Sequence, residues 1–124
     1  MRRTICVDLD GVLADYSKGW QGVDVIGDPI PGAVEFTHQL SKFADVLIFT
    51  ARYSPFFSGD NAEQIIRPLR RWLKKHRFAY KAIYTGRGKP IASAYVDDRA
   101  VQCLPQQHGF GPALEACRNL TGEE

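Results

Sequence analysis

The sequence predicts an α/β fold: a doubly wound, Rossmann-like parallel sheet with helices on both faces and a small flap over one sheet edge. Three observations carry that expectation. Short apolar runs stop at polar or acidic residues, as buried parallel strands do. Segments with apolar residues at helical spacing alternate with those runs, the pattern of strand, helix, strand units. No repeat, low-complexity tract or linker rich in Pro, Gly and Ser interrupts the chain, so its 124 residues read as one domain, 1–124.

Each element has its own justification. Thr4 to Leu9 contains Ile5, Cys6, Val7 and Leu9 and ends at acidic residues and Gly11, which suits a central strand. Val12 to Pro31 is rich in Gly, Asp and Pro and reads as a loop or flap over about 12–31, with Tyr16 and Trp20 as isolated aromatics. Pro31 stands where a helix can start, and Ala33, Phe36, Leu40 and Phe43 recur behind it at helical spacing. Asp45 to Thr50 is a second buried strand, followed by a loop over Ala51 to Gly59. Asp60 and Glu63 have the spacing of a capping box for a helix with Ile65, Ile66, Leu69 and Leu73 on its apolar face. Pro68 should kink or divide that helix before it ends near Arg77. Ala82 to Thr85 and Ala94 to Val96 give two short strands, and Gly111 to Leu120 a last helix with Ala113, Cys117 and Leu120 on one side.

Composition narrows the class. Hydrophobic residues make up 44% and charged residues 24%, ordinary for a globular chain and far from the signature of disorder. No apolar stretch approaches the roughly 20 residues that cross a bilayer. Asp8 and Asp10 break what would otherwise follow Arg2 and Arg3 as a secretory signal, so no membrane partner and a cytoplasmic location are expected. Cys6, Cys103 and Cys117 are odd in number and lack CxxC spacing, which argues against a disulfide framework or a zinc knuckle and for reduced, mostly buried thiols. His38, His76 and His108 show no ligand spacing either. A formal charge of +2 does not favour a nucleic-acid partner for the surface as a whole. The local exception is Arg67, Arg70, Arg71, Lys74 and Arg77, a basic helix face that serves either as solvated surface or as a polyanion patch.

In a parallel sheet, ligands bind outside the carboxyl ends of the strands. The first strand stops at Asp8-Leu9-Asp10-Gly11, the second at Thr50 followed by Arg52, and the fourth at Asp97-Asp98-Arg99, while Lys89 precedes Pro90 between the third and fourth. Four carboxylates on one edge cannot all stay ionised without a compensating cation. A hard divalent ion such as Mg²⁺, which takes oxygen ligands and keeps several waters, is the natural counterpart. Lys89 could then help to neutralise a phosphate, and Thr50 could donate a hydroxyl to a phosphoryl oxygen.

Those residues, in that order, resemble the four motifs of the haloacid dehalogenase (HAD) superfamily of phosphohydrolases. Asp8-Leu9-Asp10-Gly11-Val12-Leu13 is similar to the nucleophile loop, Ile48-Phe49-Thr50-Ala51-Arg52 to the second motif, Lys89-Pro90 to the third and Val96-Asp97-Asp98-Arg99 to the acidic fourth. The resemblance implies a Mg²⁺-dependent phosphomonoester hydrolase. Asp8 would attack phosphorus to give an aspartyl-phosphate; Asp10 would protonate the leaving group and then activate water. Asp8, the backbone carbonyl of Asp10, and Asp97 and Asp98 would hold Mg²⁺, with Thr50, Arg52 and Lys89 on the substrate, although Arg52 and Arg99 read equally as structural or substrate-facing. The presence of Asp10 itself favours a phosphatase or phosphotransferase over a dehalogenase or a transport ATPase.

The intervals from Asp10 to Thr50 and from Thr50 to Lys89 are used up by the flap and ordinary elements, which leaves no room for a large cap. The likeness is therefore to the small, nearly capless branch, with likeness also to deoxyribonucleotidases and to the phosphatase domains of polynucleotide kinases, although the extra helical cap of the nucleotidases is lacking. A capless site would be open to large substrates or covered by a partner subunit, including a second copy of the chain. Three readings stand at this level: hydrolysis of a phosphorylated small molecule, hydrolysis at nucleic-acid ends or on phosphoproteins, and phosphate or partner binding without turnover. Tyr16 and Trp20 either pack or stack on a substrate ring.

Overall fold

Two apolar runs, Arg3–Asp8 (β1) and Ala44–Phe49 (β2), pair in parallel and carry the sheet. The structure is a computed structural model that describes residues 2–53, 62–86, 88–104 and 109–122. β1 pairs on its other side with β4 (Ala94–Val96), and β2 with β3 (Ala82–Ile83), both parallel. The resulting order, β3-β2-β1-β4, is that of a four-stranded, all-parallel sheet in a Rossmann-like α/β fold. Chain direction across the sheet reverses between β1 and β4, so the carboxyl end of β1 stands at a topological switch point.

Burial explains why β1 and β2 are central. Cys6, Val7, Val46 and Ile48 are almost wholly excluded from water, as strands covered on both faces require. Both strands begin and end one residue earlier than the apolar pattern suggests, because Leu9 and Thr50 already belong to the turns that follow. Leu9 is nonetheless fully buried, its carbonyl accepting from the N–H groups of Leu13 and Ala14, both at 2.9 Å.

Helix α1 (Ala33–Ser41) buries Ala33, Thr37 and Leu40. This corrects the expected apolar face: Phe36 is exposed at its edge and Phe43 lies beyond the helix, 65% exposed. Thr37 takes the inward place because its hydroxyl is satisfied twice, donating to the Val34 carbonyl at 2.7 Å and accepting from the Ala79 N–H at 3.1 Å. Helix α2 (Glu63–Lys75) is one continuous helix, so Pro68 does not divide it. The amide that Pro68 lacks would have bonded the carbonyl of exposed Gln64, which water can serve instead. Ile65, Ile66, Leu69, Trp72 and Leu73 form its buried stripe, while Arg67, Arg70, Arg71 and Lys74 face water. Arg77 falls beyond its end, in a left-handed conformation. Asp60, the expected cap, lies outside the described residues, and Ala62 precedes the first turn without a side-chain cap. Helix α3 (Phe110–Thr121) contains no buried residue, and its apolar side, including Leu114 and Leu120, is open to solvent. Of the cysteines only Cys6 is buried; Cys103 and Cys117 are exposed, contrary to expectation, because the chain around them does not enter the core.

The segment after β1 has no regular element, yet it is tied down at several points. The N–H of Asp15 donates to Asp28 and that of Ile30 to Leu13, both at 2.8 Å, closing it into a loop. Gly27 is required there, since a Cβ would come within 2.0 Å of the Asp15 carbonyl. Trp72, stacked on Phe78 with ring centroids 4.9 Å apart, donates its indole N–H to the Gly27 carbonyl at 3.1 Å. The core of α2 thus fixes the loop that borders the carboxyl edge of the sheet. Among the described residues, no helix is long and apolar enough to cross a membrane.

Candidate active site

Register brings the acidic strand ends together. Val7 pairs with Val96 across β1 and β4, so Asp8 and Asp97 leave the sheet side by side. One carboxylate oxygen from each of Asp8, Asp97 and Asp98 lies within 4.8 Å of the others. Gly11 admits this approach: its φ is +89°, and a Cβ there would meet the Asp98 carboxylate at 2.3 Å. The N–H of Arg99 donates to Asp97 Oδ1 at 2.9 Å, which fixes the turn after β4.

Electrostatics set Asp8 apart. Burial, then the neighbouring charge of Asp97, with smaller contributions from Asp98 and Asp10, push its carboxyl up to about 7, against a lowering by the Leu9 backbone N–H. A group held that far above the carboxylate range is one that an added cation would return to the ionised form. The donor set also suits a small hard ion, because all three groups offer carboxylate oxygens, the ligands that Mg²⁺ takes.

Asp10 stands in a different environment. Its carboxylate is not in that trio but is clamped by Arg52, whose Nε donates to Oδ2 at 2.7 Å and whose Nη2 donates to Oδ1 at 2.9 Å. Arg52 is only 5% exposed, and its remaining donors reach the carbonyls of Val25 at 2.9 Å, Gly22 at 3.4 Å and Val23 at 3.5 Å. It therefore acts as a strut between Asp10 and the loop after β1, with its donors engaged inside the chain. The expected substrate contact of Arg52 is thus not what its hydrogen bonds serve.

Thr50 and Lys89 are also used differently from the simplest expectation. The Thr50 hydroxyl oxygen accepts from the Arg52 N–H at 3.1 Å, starting a short 3-10 turn over Ala51–Tyr53 and leaving its own proton to donate. Lys89 places Nζ 4.5 Å from the ring centroid of Tyr95, whose hydroxyl donates to the Pro90 carbonyl. Tyr95 was not singled out by sequence, although its place two residues before Asp97 puts both on one side of the strand. Lys89 is not among the residues that line the cavity at the acidic edge.

That cavity, of about 310 Å³, is lined by Asp8, Asp10 and Asp97 together with Phe49 and Ala51. Tyr16, Trp20, Arg52 and Arg99 complete its wall. The guanidinium of Arg52 lies 4.9 Å from the Trp20 ring centroid and that of Arg99 5.9 Å from the Tyr16 ring centroid. A second cavity of about 510 Å³ runs between α2 and the loop after β1, lined by Arg67 and Arg71 but also by Asp24 and Glu63. Its mixed charge gives no net attraction for a polyanion.

No family model matches the chain, and no curated protein matches it. A similar solved structure is the crystal structure of a structural-genomics target from Vibrio cholerae, 26% identical, with a TM-score of 0.51. The likeness covers 92% of this chain and 95% of that one, so the α/β arrangement is shared over nearly the whole of both.

Proposed function

We propose that the protein is a Mg²⁺-dependent phosphomonoester hydrolase of the HAD type, with a doubly wound sheet, a flap over about 12–31 and Asp8 as nucleophile. The observation that carries this reading is the convergence of Asp8, Asp97 and Asp98 within 4.8 Å beside a cavity at the switch point of the sheet. When bound, Mg²⁺ would supply charge to neutralise the acids and to polarise a phosphoryl oxygen.

The chain's own residues divide the remaining work. Asp8, ionised, attacks phosphorus; the P–O bond to the alcohol breaks as the aspartyl-phosphate forms. Arg99, on the cavity wall, provides positive charge for the phosphate. The Thr50 hydroxyl and Lys89 reach the phosphoryl group only by turning from their present positions. Asp10 hands a proton to the departing alkoxide and takes one from water in the second step.

Hydrolysis of phosphomonoesters in the presence of Mg²⁺ tests this reading. Chelation should abolish it, and Ca²⁺, with looser and larger coordination, should restore it less well than Mg²⁺. Full turnover in excess chelator would reject the metal role, and absence of turnover across a panel of phosphomonoesters with Mg²⁺ would leave a phosphate-binding domain instead.

A further inference from the structure

The wall of the small cavity contains a feature that phosphate chemistry does not need. Trp20 belongs to the loop after β1, lines the same cavity as Asp8, and is 42% exposed. Leaving that much indole in water costs hydrophobic free energy that packing could have recovered. The ring is nevertheless held in place: Arg52 lies 4.9 Å from its centroid, and Arg52 is itself fixed by Asp10 and the Val25 carbonyl at 2.9 Å or less. A cation on an indole contributes by electrostatic attraction to the ring, and here that cation cannot move away. Across the wall, Tyr16 is paired in the same manner with Arg99 at 5.9 Å. Two aromatic rings, each with a guanidinium within 6 Å of its centroid, thus line a cavity of about 310 Å³ together with Asp8, Asp10 and Asp97. That volume is at the small end for ligand pockets and has room for a phosphate with one planar ring system.

We infer that the esters this site accepts carry a flat, unsaturated ring, which stacks on Trp20 while the phosphate faces Asp8. The inference rests on the phosphatase reading for the orientation of the ester and deepens it by naming the substrate class. Stacking on an aromatic side chain selects for a π-face and not for hydrogen-bonding groups, so single-ring aromatic and heteroaromatic phosphates fit equally. Saturated rings of the same size fill the space without the stacking gain.

A pair of phosphonates tests it without relying on turnover, because their P–C bond is not hydrolysed. Benzylphosphonate and cyclohexylmethylphosphonate match in charge and length and differ in the flatness of the ring. Calorimetric titration of the full chain with Mg²⁺ present should give benzylphosphonate an affinity roughly 5- to 100-fold higher, the range expected for loss of one stacking contact. Trp20→Leu should remove that preference, and Trp20→Phe, which keeps a ring, should retain most of it. Equal binding of the two phosphonates, no binding of either, or a preference that survives Trp20→Leu would each overturn the inference. The corresponding phosphates, benzyl and cyclohexylmethyl, have leaving groups of similar basicity. If ring preference is present in binding while neither phosphate is hydrolysed, the phosphatase reading fails and the ring site stands.

Discussion

Asp8 and Asp10 leave the same strand two residues apart, yet their surroundings are opposite. Asp8 is half-buried among other carboxylates and has its carboxyl pushed up to about 7. Asp10 is held by two short bonds from an almost completely buried guanidinium. One acid is left with an unmet need for positive charge and the other has had that need met by the fold. The difference separates a carboxylate with no cationic partner among the described residues from one that Arg52 ties to the loop after β1. The end of the strand explains why groups so close can differ: β1 stops at Asp8, and the turn closed on the carbonyl of fully buried Leu9 carries Asp10 out of the sheet.

The largest break in that contrast should come from Asp8→Asn. Hydrolysis should be abolished, since an amide of the same shape cannot attack phosphorus. Without metal at pH 7, the urea midpoint of this variant should be no lower than that of the parent, because the substitution removes charge from a crowded acidic cluster. Activity that persists in folded Asp8→Asn protein would remove the covalent mechanism.

Arg52→Ala should act through stability. It leaves Asp10 partly buried without its partner and frees the carbonyls of Gly22, Val23 and Val25, a loss of about 3–5 kcal/mol by analogy with broken buried pairs. Arg52→Lys should recover only part of this, as an ammonium cannot make the two-pronged contact. Urea denaturation of the three proteins measures the effect, and parent-like stability of Arg52→Ala would show that the clamp is incidental.

A smaller effect concerns pH. A carboxyl with a raised folded-state value binds its proton more tightly in the native chain than in the unfolded one, so it contributes stability below the ordinary carboxylate range near 4 that is lost as pH rises through about 7. The metal-free protein should therefore lose stability between about pH 4 and pH 7 from this group. Asp8→Asn should remove that part of the slope, and added Mg²⁺ should raise the melting temperature more at pH 8 than at pH 5. Melting curves that change with pH identically in parent and Asp8→Asn proteins would contradict the assignment.

How far the sequence carries the reader follows the same division. The acidic trio is legible because strand ends in a parallel sheet share one edge, and the polar stops at Asp8 and Asp97-Asp98 mark that edge without knowledge of any side-chain contact. The Arg52–Asp10 clamp is not legible, since the two residues are 42 positions apart and nothing local distinguishes a strut from a substrate-binding arginine. Lys89 stands out by its neighbour Pro90, whereas its side chain lies over the Tyr95 ring, a contact that no local pattern marks. Helix faces show a related limit. Thr37 displaces Phe36 and Phe43 from the inner side of α1 because a buried hydroxyl with two partners fits the rotation that Ala33 and Leu40 set. The apolar pattern of α3 is present as read, but periodicity says only that a face exists and not that the chain covers it.

Covalent chemistry at Asp8, assisted by Asp10, is the central claim, and intact-protein mass spectrometry of Asp10→Asn tests it most directly. Slowing the proton-transfer group by about 10²–10⁴-fold should trap the second step while an activated ester such as nitrophenyl phosphate still drives the first. With Mg²⁺ and that ester, the variant should accumulate one added phosphate per chain, and the adduct should be absent from the double variant that also carries Asp8→Asn. A folded Asp10→Asn protein that turns the ester over with no adduct, or an adduct that survives replacement of Asp8, would contradict the account.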